Sequence, residues 1–433
     1  MKQPHIDIAE LVRRGQAMAQ GVGLGGPPGD GALTEVTGVG SNPGQLRMLE
    51  FVPDRLPAGA PLVVALHGCT QTAGGYDRGS GWSTLAARLG FALLLPEQRP
   101  GNNANRCFNW FEPGDTRREH GEALSIRQMV AYAVAHHRLD PRRVFLTGLS
   151  AGGAMASVML ATYPEVFAAG AIIAGLPYGA AHSMPEAFEA MATARPRSGH
   201  VWGEAVRRAS PHHGPWPRVS VWQGEADGTV RPDNAEEILK QWRDLHGLAG
   251  APQPGKSLGP AHHHRVWRGR DGTPLLEHHA IAGMGHGVPI APRGGPDALG
   301  EAMPYMLDVG IPSTALIAGF FGLGGAAARA GQATGPVISV GRDGGARVAP
   351  AAASPAEAAA APAPQPAAAE AAPRQEAPRA ATTAGATEAP PRPEPRRDAP
   401  PPPHPEAPPR AGRRFDPGHI IRKALRAAGL LDR

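Results

Sequence analysis

A mainly parallel β-sheet with helices on both faces is the α/β architecture that this 433-residue sequence predicts. Three observations carry that prediction. Short unbroken apolar runs recur at Leu62-Val63-Val64-Ala65-Leu66, at Phe91 to Leu95 and at Ala169 to Ile173. A strand buried on both faces of a sheet reads this way, because neither face of its pleat meets water. Segments with helical spacing alternate with these runs, at Gly81 to Leu89, Glu122 to His136 and Asn234 to Leu245, and such alternation builds a parallel sheet. Finally, Val144-Phe145-Leu146 leads into Gly148-Leu149-Ser150-Ala151-Gly152, so a strand ends in a serine-bearing turn and a small-residue segment follows to Leu160.

Taken in order, residues 1–32 are a leader in which Ile6 to Ala19 is either a short amphipathic helix or flexible chain, followed by a Gly/Pro linker from Gly21. The folded domain is expected over 33–312. A strand near Leu46 to Val52 precedes the Leu62 strand, which ends in His67-Gly68-Cys69-Thr70-Gln71. Between Pro96 and Glu119 lies a long polar loop carrying Asn102, Asn103, Asn105, Cys107, Asn109, Trp110 and Phe111, whose aromatics favour an ordered loop near a site. A helical or loop region runs from Gly175 to about Pro217, and later strands are expected at Val219 to Trp222 and His278 to Ile281. Residues 313–349 are Gly/Ala-rich, with one short strand at Val337 to Val340. Residues 350–412 are Ala/Pro/Glu/Arg low complexity, which cannot bury enough apolar surface to fold and reads as a disordered linker. At 413–433 an apolar stripe of Ile420, Ile421, Ala424, Leu425 and Ala428 opposes a basic face, the pattern of an amphipathic helix. One helix holds no core, so it is expected to dock on the folded domain, on a partner, or on a hydrophobic surface.

Composition narrows the partners. The 57 Gly and 48 Pro point to a low-complexity part beside a folded one. A net charge of +5 with 5% aromatics gives no basic, aromatic-rich footprint for nucleic acid. No run reaches the ~18 apolar residues of a membrane span, Ala315 to Leu323 being too short. Met1 to Gly29 carries Lys2, Asp7, Glu10, Arg13 and Arg14 and no apolar core, so it lacks the pattern of an export signal.

The chemistry centres on Ser150. Gly148 and Gly152 lie where strand and helix crowd the turn and a Cβ would clash, while Ser150 is forced into strained dihedrals. This is the layout of a nucleophile elbow. Ala151 opens the helix, so its N–H faces any negative charge that develops beside Ser150. The strand at Val219 delivers Gly224-Glu225-Ala226-Asp227-Gly228-Thr229-Val230, where Asp227 suits the acid that orients a histidine. Asp233 is the alternative acid, or a helix cap, and Asp227 could simply close a turn with Gly228. After the last strand comes Gly283-Met284-Gly285-His286-Gly287, whose histidine is either a mobile general base or an ordinary surface side chain. The order Ser150, Asp227, His286 is that of the α/β-hydrolase fold. In that reading Ser150 attacks an acyl carbon, His286 shuttles the proton, Asp227 holds its tautomer, and the N–H groups of Ala151 and Cys69 bind the oxyanion.

Four segments together, Leu66-His67-Gly68-Cys69-Thr70-Gln71, Cys107-Phe108-Asn109-Trp110-Phe111, Gly148 to Met155 and Gly283-Met284-Gly285-His286, resemble the polyhydroxybutyrate depolymerase-type esterases, a group that includes feruloyl and acetylxylan esterases. The resemblance spans about Leu33 to Leu307. It implies a serine esterase acting on polyesters such as poly(3-hydroxybutyrate), or on ester-decorated plant polymers, without a cofactor. It also implies an extracellular enzyme, with a cytoplasmic location as the alternative because no signal is seen. A polyester granule is then a natural surface for the C-terminal helix. Trp110 and Asn109 are the substrate-binding candidates, and Trp82 and Trp222 are expected to be packing residues. Cys69 and Cys107 fall in two of the motifs and are either a disulfide fixing both walls of the site or two reduced thiols. The tracts His212-His213, His262-His263-His264 and His278-His279 show no acidic partner at ligand spacing, so solvated loop histidines and no metal site are expected. A peptidase or thioesterase on the same fold and a non-catalytic binding protein are the other functional readings.

Overall fold

The computed structural model describes residues 31–323 and the backbone of two short strands beyond them. The expected N-terminal helix at Ile6 to Ala19, the linker 350–412 and the amphipathic helix at 413–433 lie outside the described residues. Strands β1 (Thr34–Val36), β2 (Arg47–Phe51), β3 (Leu62–Leu66), β4 (Ala92–Glu97), β5 (Val144–Leu149), β6 (Ala169–Ile173), β7 (Arg218–Gly224), β8 (Gln253–Pro254), β9 (His262–Arg268) and β10 (Pro274–Ile281) form one sheet. Their order is β1-β2-β4-β3-β5-β6-β7-β10-β9-β8. The six central strands, β4 to β10 in that order, pair in parallel, with antiparallel strands on both edges. β11 (Val288–Ile290) and β12 (Met306–Asp308) make a small parallel pair. β13 (Ile338–Val340) and β14 (Ala346–Val348) are an antiparallel pair forming a unit of their own.

Two apolar layers cover the sheet because its inner strands alternate side chains between faces. Leu62, Val64 and Leu66 of β3 join the layer shared with α4 (Gly121–His136), α5 (Ala151–Thr162) and α8 (Asp233–Leu245). Val63 and Ala65 join the opposite layer, with α1 (Ala73–Ser80), α2 (Trp82–Leu89) and α9 (Ser313–Phe321). α3 (Pro113–Thr116) interrupts the long loop, while α6 (Met184–Thr193) and α7 (Gly199–Arg207) fill the region before β7. Trp82 and Trp222 are fully buried. Among the described residues no helix is long and apolar enough to cross a membrane.

Three features that the sequence reading did not give have physical causes. The domain continues past the expected limit at 312. α9 buries Ile317 and Phe321, stacks Phe321 on Phe145 at 4.8 Å, and is fixed by Thr314 Oγ1 donating to the Ser80 carbonyl at 2.8 Å. The Gly-rich α1 has little intrinsic helicity, yet the Thr72 hydroxyl caps it by accepting from Gly75 N–H at 3.0 Å. The histidine tracts are the third. Only His212 and His213 sit in a loop. His262, His264, His278 and His279 lie in β9 and β10, where sheet pairing removes them from water and places Glu277 within 3.1 Å of two of them. The expectation of solvated histidines without an acidic partner is therefore corrected.

Candidate active site

β5 ends where the chain must turn back over the sheet, and Ser150 makes that turn at φ 56° and ψ −118°. A non-glycine residue holds such dihedrals only when its surroundings over-determine them. Here Ser150 N–H donates to the Ile173 carbonyl at 2.9 Å, and its own carbonyl accepts from Ala154 N–H at 2.8 Å. The flanking glycines answer to sterics. A Cβ on Gly148 would lie 2.3 Å from the Gly152 oxygen, and one on Gly152 would lie 2.3 Å from the Leu66 oxygen and 2.5 Å from that of His67. The elbow is thus seated directly on the end of β3. Ala151 is the first residue of α5, so its N–H has no partner within the helix.

The second half of the site hangs on β7 and β10. Beyond β7, Glu225 N–H donates to the Ile281 carbonyl and Ala226 N–H to the Met284 carbonyl, each at 2.9 Å. A Cβ on Gly224 would meet the Met284 oxygen at 2.3 Å, so only glycine lets the two loops close on each other. Their closure brings His286 Nδ1 to 2.7 Å from Asp227 Oδ2. Asp227 is fixed on every side. Its Oδ1 accepts from Thr229 and Val230 N–H at 2.8 and 2.9 Å, and its Oδ2 also accepts from Gln223 Nε2 at 3.0 Å. The Asp227 side chain is fully buried and that of His286 is 9% exposed. Tyr305 lies edge-on to His286 with ring centroids 6.1 Å apart. Asp233, the alternative acid, sits in the first turn of α8.

The wall beside Ser150 is built by the loop after β3. Cys69 and Cys107 are joined in a disulfide, and Thr70 N–H donates to the Asn105 carbonyl at 2.6 Å, so this loop is tied to the long aromatic loop. His67 is wholly buried beneath them, donating from Nδ1 to its neighbour's carbonyl at Gly68 (2.7 Å) and accepting at Nε2 from Gln98 N–H at 3.1 Å. Burial holds its pKa below the ordinary value, with the Gly68 bond and the Glu97 charge opposing. Glu122 completes the support by accepting from Gln98 Nε2 and from Asn109 N–H. Burial pushes the Glu122 carboxyl up to about 8, with the Asp115 charge adding to the effect.

The two substrate-binding candidates lie within the aromatic loop. Trp110 is 8% exposed and packs edge-on to Phe111 within the apolar layer. Asn109 spends its side chain inside the loop, donating to Asp115 Oδ2 at 3.2 Å and accepting from Asn103 Nδ2 at 3.1 Å. Both shape the loop from within. Sequence reasoning passed over His67, Gln98 and Glu122, whose shared signal is polarity next to apolar strands and helix starts.

Known proteins resemble this chain in sequence and fold. Residues 51–257 match the family Esterase PHB depolymerase. Poly(3-hydroxyalkanoate) depolymerase C of Paucimonas lemoignei is 48% identical over 293 residues, covering 67% of this chain and 70% of the relative. An acetylxylan esterase of Coprinopsis cinerea is 34% identical over 275 residues, 61% of this chain and 72% of its own. The structure of the acetyl xylan esterase from Aspergillus awamori superposes with a TM-score of 0.58 at 26% identity, over 68% of this chain and 100% of that one. With the α/β-hydrolase sheet, the serine elbow and these relatives in place, the chain belongs to the PHB depolymerase esterase family and is a carboxylic ester hydrolase.

Proposed function

We propose that this enzyme depolymerises poly(3-hydroxyalkanoate)-type polyesters through an acyl-enzyme on Ser150. The observation that carries the mechanism is the 2.7 Å contact between His286 Nδ1 and Asp227 Oδ2, on a carboxylate held by three further donors. It fixes the proton on Nδ1 and leaves Nε2 free to take the proton of Ser150 Oγ as that oxygen attacks the ester carbon. The developing oxyanion is received by the N–H groups of Ala151 and Cys69, and each such donor contributes about 100- to 1000-fold in rate. His286 returns the proton to the leaving alcohol, and water then releases the acid by the same steps in reverse.

The polyester assignment rests on the 48% identity to a poly(3-hydroxyalkanoate) depolymerase, against 34% to an acetylxylan esterase. The Cys69–Cys107 disulfide supports an oxidising compartment, which suits an enzyme working outside the cytosol. Hydrolysis of poly(3-hydroxybutyrate) suspensions, acetylxylan and methyl ferulate by wild type and Ser150→Ala tests the reading. Release of 3-hydroxybutyrate oligomers by wild type alone supports it. Turnover confined to acetylxylan or ferulate would move the enzyme to the plant-polymer branch of the family.

A further inference from the structure

A second cluster of chemistry-bearing side chains lies away from Ser150, on the sheet face that α9 covers. β9 and β10 pair antiparallel with His264 opposite His279 and His262 opposite Ile281. Side chains two residues apart share a face, so His262 and His264 stand beside His279 and Glu277. Trp222, opposite His279 on β7, extends the row, and its ring stacks on His279 at 3.7 Å while His279 stacks on His264 at 4.0 Å.

These groups converge. His264 Nε2 lies 3.1 Å from Glu277 Oε2, and His279 Nε2 lies 3.1 Å from Glu277 Oε1. One ligand atom from each residue falls within 4.8 Å of the others. In a tetrahedral site with bonds of about 2.05 Å, neighbouring ligand atoms stand roughly 3.3 Å apart. The His279 side chain is 3% exposed, and its Nε2 has no hydrogen-bond partner beyond the 3.1 Å ion-pair contact with Glu277 Oε1. A buried nitrogen left in that state costs free energy unless something else takes its lone pair. Around the ligand atoms stands a supporting shell. Ser220 Oγ donates to Glu277 at 2.7 Å and in turn accepts from Trp222 Nε1 at 2.8 Å, while His262 Nε2 lies 2.9 Å from His279 Nδ1. Metal-bound histidines have such a partner on their second nitrogen, and His279 has one here, whereas His264 Nδ1 is buried without a partner. A cleft of about 390 Å³ reaches the cluster, lined also by Arg218, Lys256 and Phe320.

We infer that His264, Glu277 and His279 form a binding site for a zinc-class divalent cation, with a fourth coordination position open to the cleft beneath α9. Two imidazoles and one carboxylate select zinc or cobalt over calcium and magnesium, which take oxygen ligands. The cation replaces the proton between His264 and Glu277. It also sets the His279 proton on Nδ1, donated to His262 Nε2. His262 then carries its own proton on Nδ1, and the 3.2 Å contact from Leu258 N–H, in an exposed loop, is the one that yields. Arg218 turns its guanidinium to the Phe320 carbonyl at 2.8 Å, and Lys256 is exposed, so their charge favours an anionic fourth ligand such as chloride or a carboxylate. The ion ties the antiparallel strand β9 to β10, the strand from which the His286 loop departs. Its role is structural.

The test uses tag-free full-length protein stripped with a chelator, then dialysed against zinc, cobalt or magnesium chloride. One zinc per chain is expected, with the visible absorption of tetrahedral cobalt(II) in the cobalt sample. The melting temperature should rise by roughly 5 °C at a zinc concentration 100-fold above Kd, with no response to magnesium. His264→Asn, checked to melt as the metal-free wild type does, should bind zinc at least roughly tenfold more weakly, and His213→Asn should bind as wild type. Absence of saturable zinc uptake by wild type overturns the inference. Zinc uptake undiminished from wild type in both His264→Asn and His279→Asn overturns it too, because the metal would then sit on other histidines.

Discussion

Replacing Asp227 by Asn keeps the shape of the side chain and reverses the donor pattern at one atom. Asp227 Oδ1 accepts from the N–H groups of Thr229 and Val230, and neither donor can turn away, so the Asn oxygen is held there. The amide nitrogen then occupies the position of Oδ2, facing Gln223 Nε2 at 3.0 Å and His286 Nδ1 at 2.7 Å. It donates to His286 Nδ1, which must become the acceptor, and the imidazole proton moves to Nε2. In the proposed mechanism that is the nitrogen that takes the proton from Ser150. The wrong tautomer costs roughly 10,000-fold in kcat, equivalent to about 5.5 kcal/mol of transition-state stabilisation. Gln223 Nε2 is left opposite another donor, which lowers stability by about 1–3 kcal/mol. Hydrolysis of p-nitrophenyl butyrate at pH 7 to 8, with thermal melting alongside, measures both. A folded Asp227→Asn variant that loses less than about tenfold in kcat would refute the tautomer argument.

The other predictions draw on the supporting structure. Gly152→Ala drives a methyl into the Leu66 and His67 carbonyls, so the loop bearing Cys69 must shift, and kcat should fall by at least roughly 100-fold with one oxyanion donor displaced. Unchanged ester turnover in that variant would contradict the seating of the elbow on β3. The Cys69–Cys107 disulfide closes a loop of 38 residues. Removing it as the double Ser variant should cost about 3–4 kcal/mol in chemical denaturation, and an unshifted denaturation midpoint would contradict that estimate. Glu122 binds its proton more tightly in the fold than in the unfolded chain, where its pKa is near 4.5. Its contribution to stability is therefore fully present below about pH 4.5 and fades as pH rises towards about 8. Glu122→Gln should flatten the decline of stability between pH 5 and 8 in urea titrations, and an unaltered slope would assign the decline to other groups.

How much could be read beforehand depended on the range of the forces involved. β3 and β6 were legible to the residue, because burial on both faces leaves an unbroken apolar run. The serine elbow was legible because the backbones around it exclude any Cβ at Gly148 and Gly152. Asp227 and His286 could be named from their glycine-bounded loops after late strands, although only the folded sheet brings them together. β9 was not legible. It reads His-His-His-Arg-Val-Trp-Arg, and its histidines are buried by pairing with β10 rather than by their own character. α9 is apolar on most sides, since it packs against β6 of the sheet and against β11, and so lacks an amphipathic stripe. Trp110 reads as a groove residue because it is an aromatic in a polar loop, and in the fold it is 8% exposed. Its neighbours Phe108 and Phe111 turn inward with it. The network of His67, Gln98 and Glu122 spans up to 55 positions of sequence, and no local pattern links its members to one another.

The central claim is that Ser150 is an activated nucleophile within an esterase site. Labelling of wild type, Ser150→Ala and His286→Ala with a fluorophosphonate probe tests it most directly. The account predicts one label per wild-type chain, located on Ser150. It predicts no label in Ser150→Ala and a strongly slowed reaction in His286→Ala, with ester hydrolysis falling in parallel. A folded wild-type enzyme that hydrolyses esters without labelling, or that labels equally well without Ser150, would contradict it.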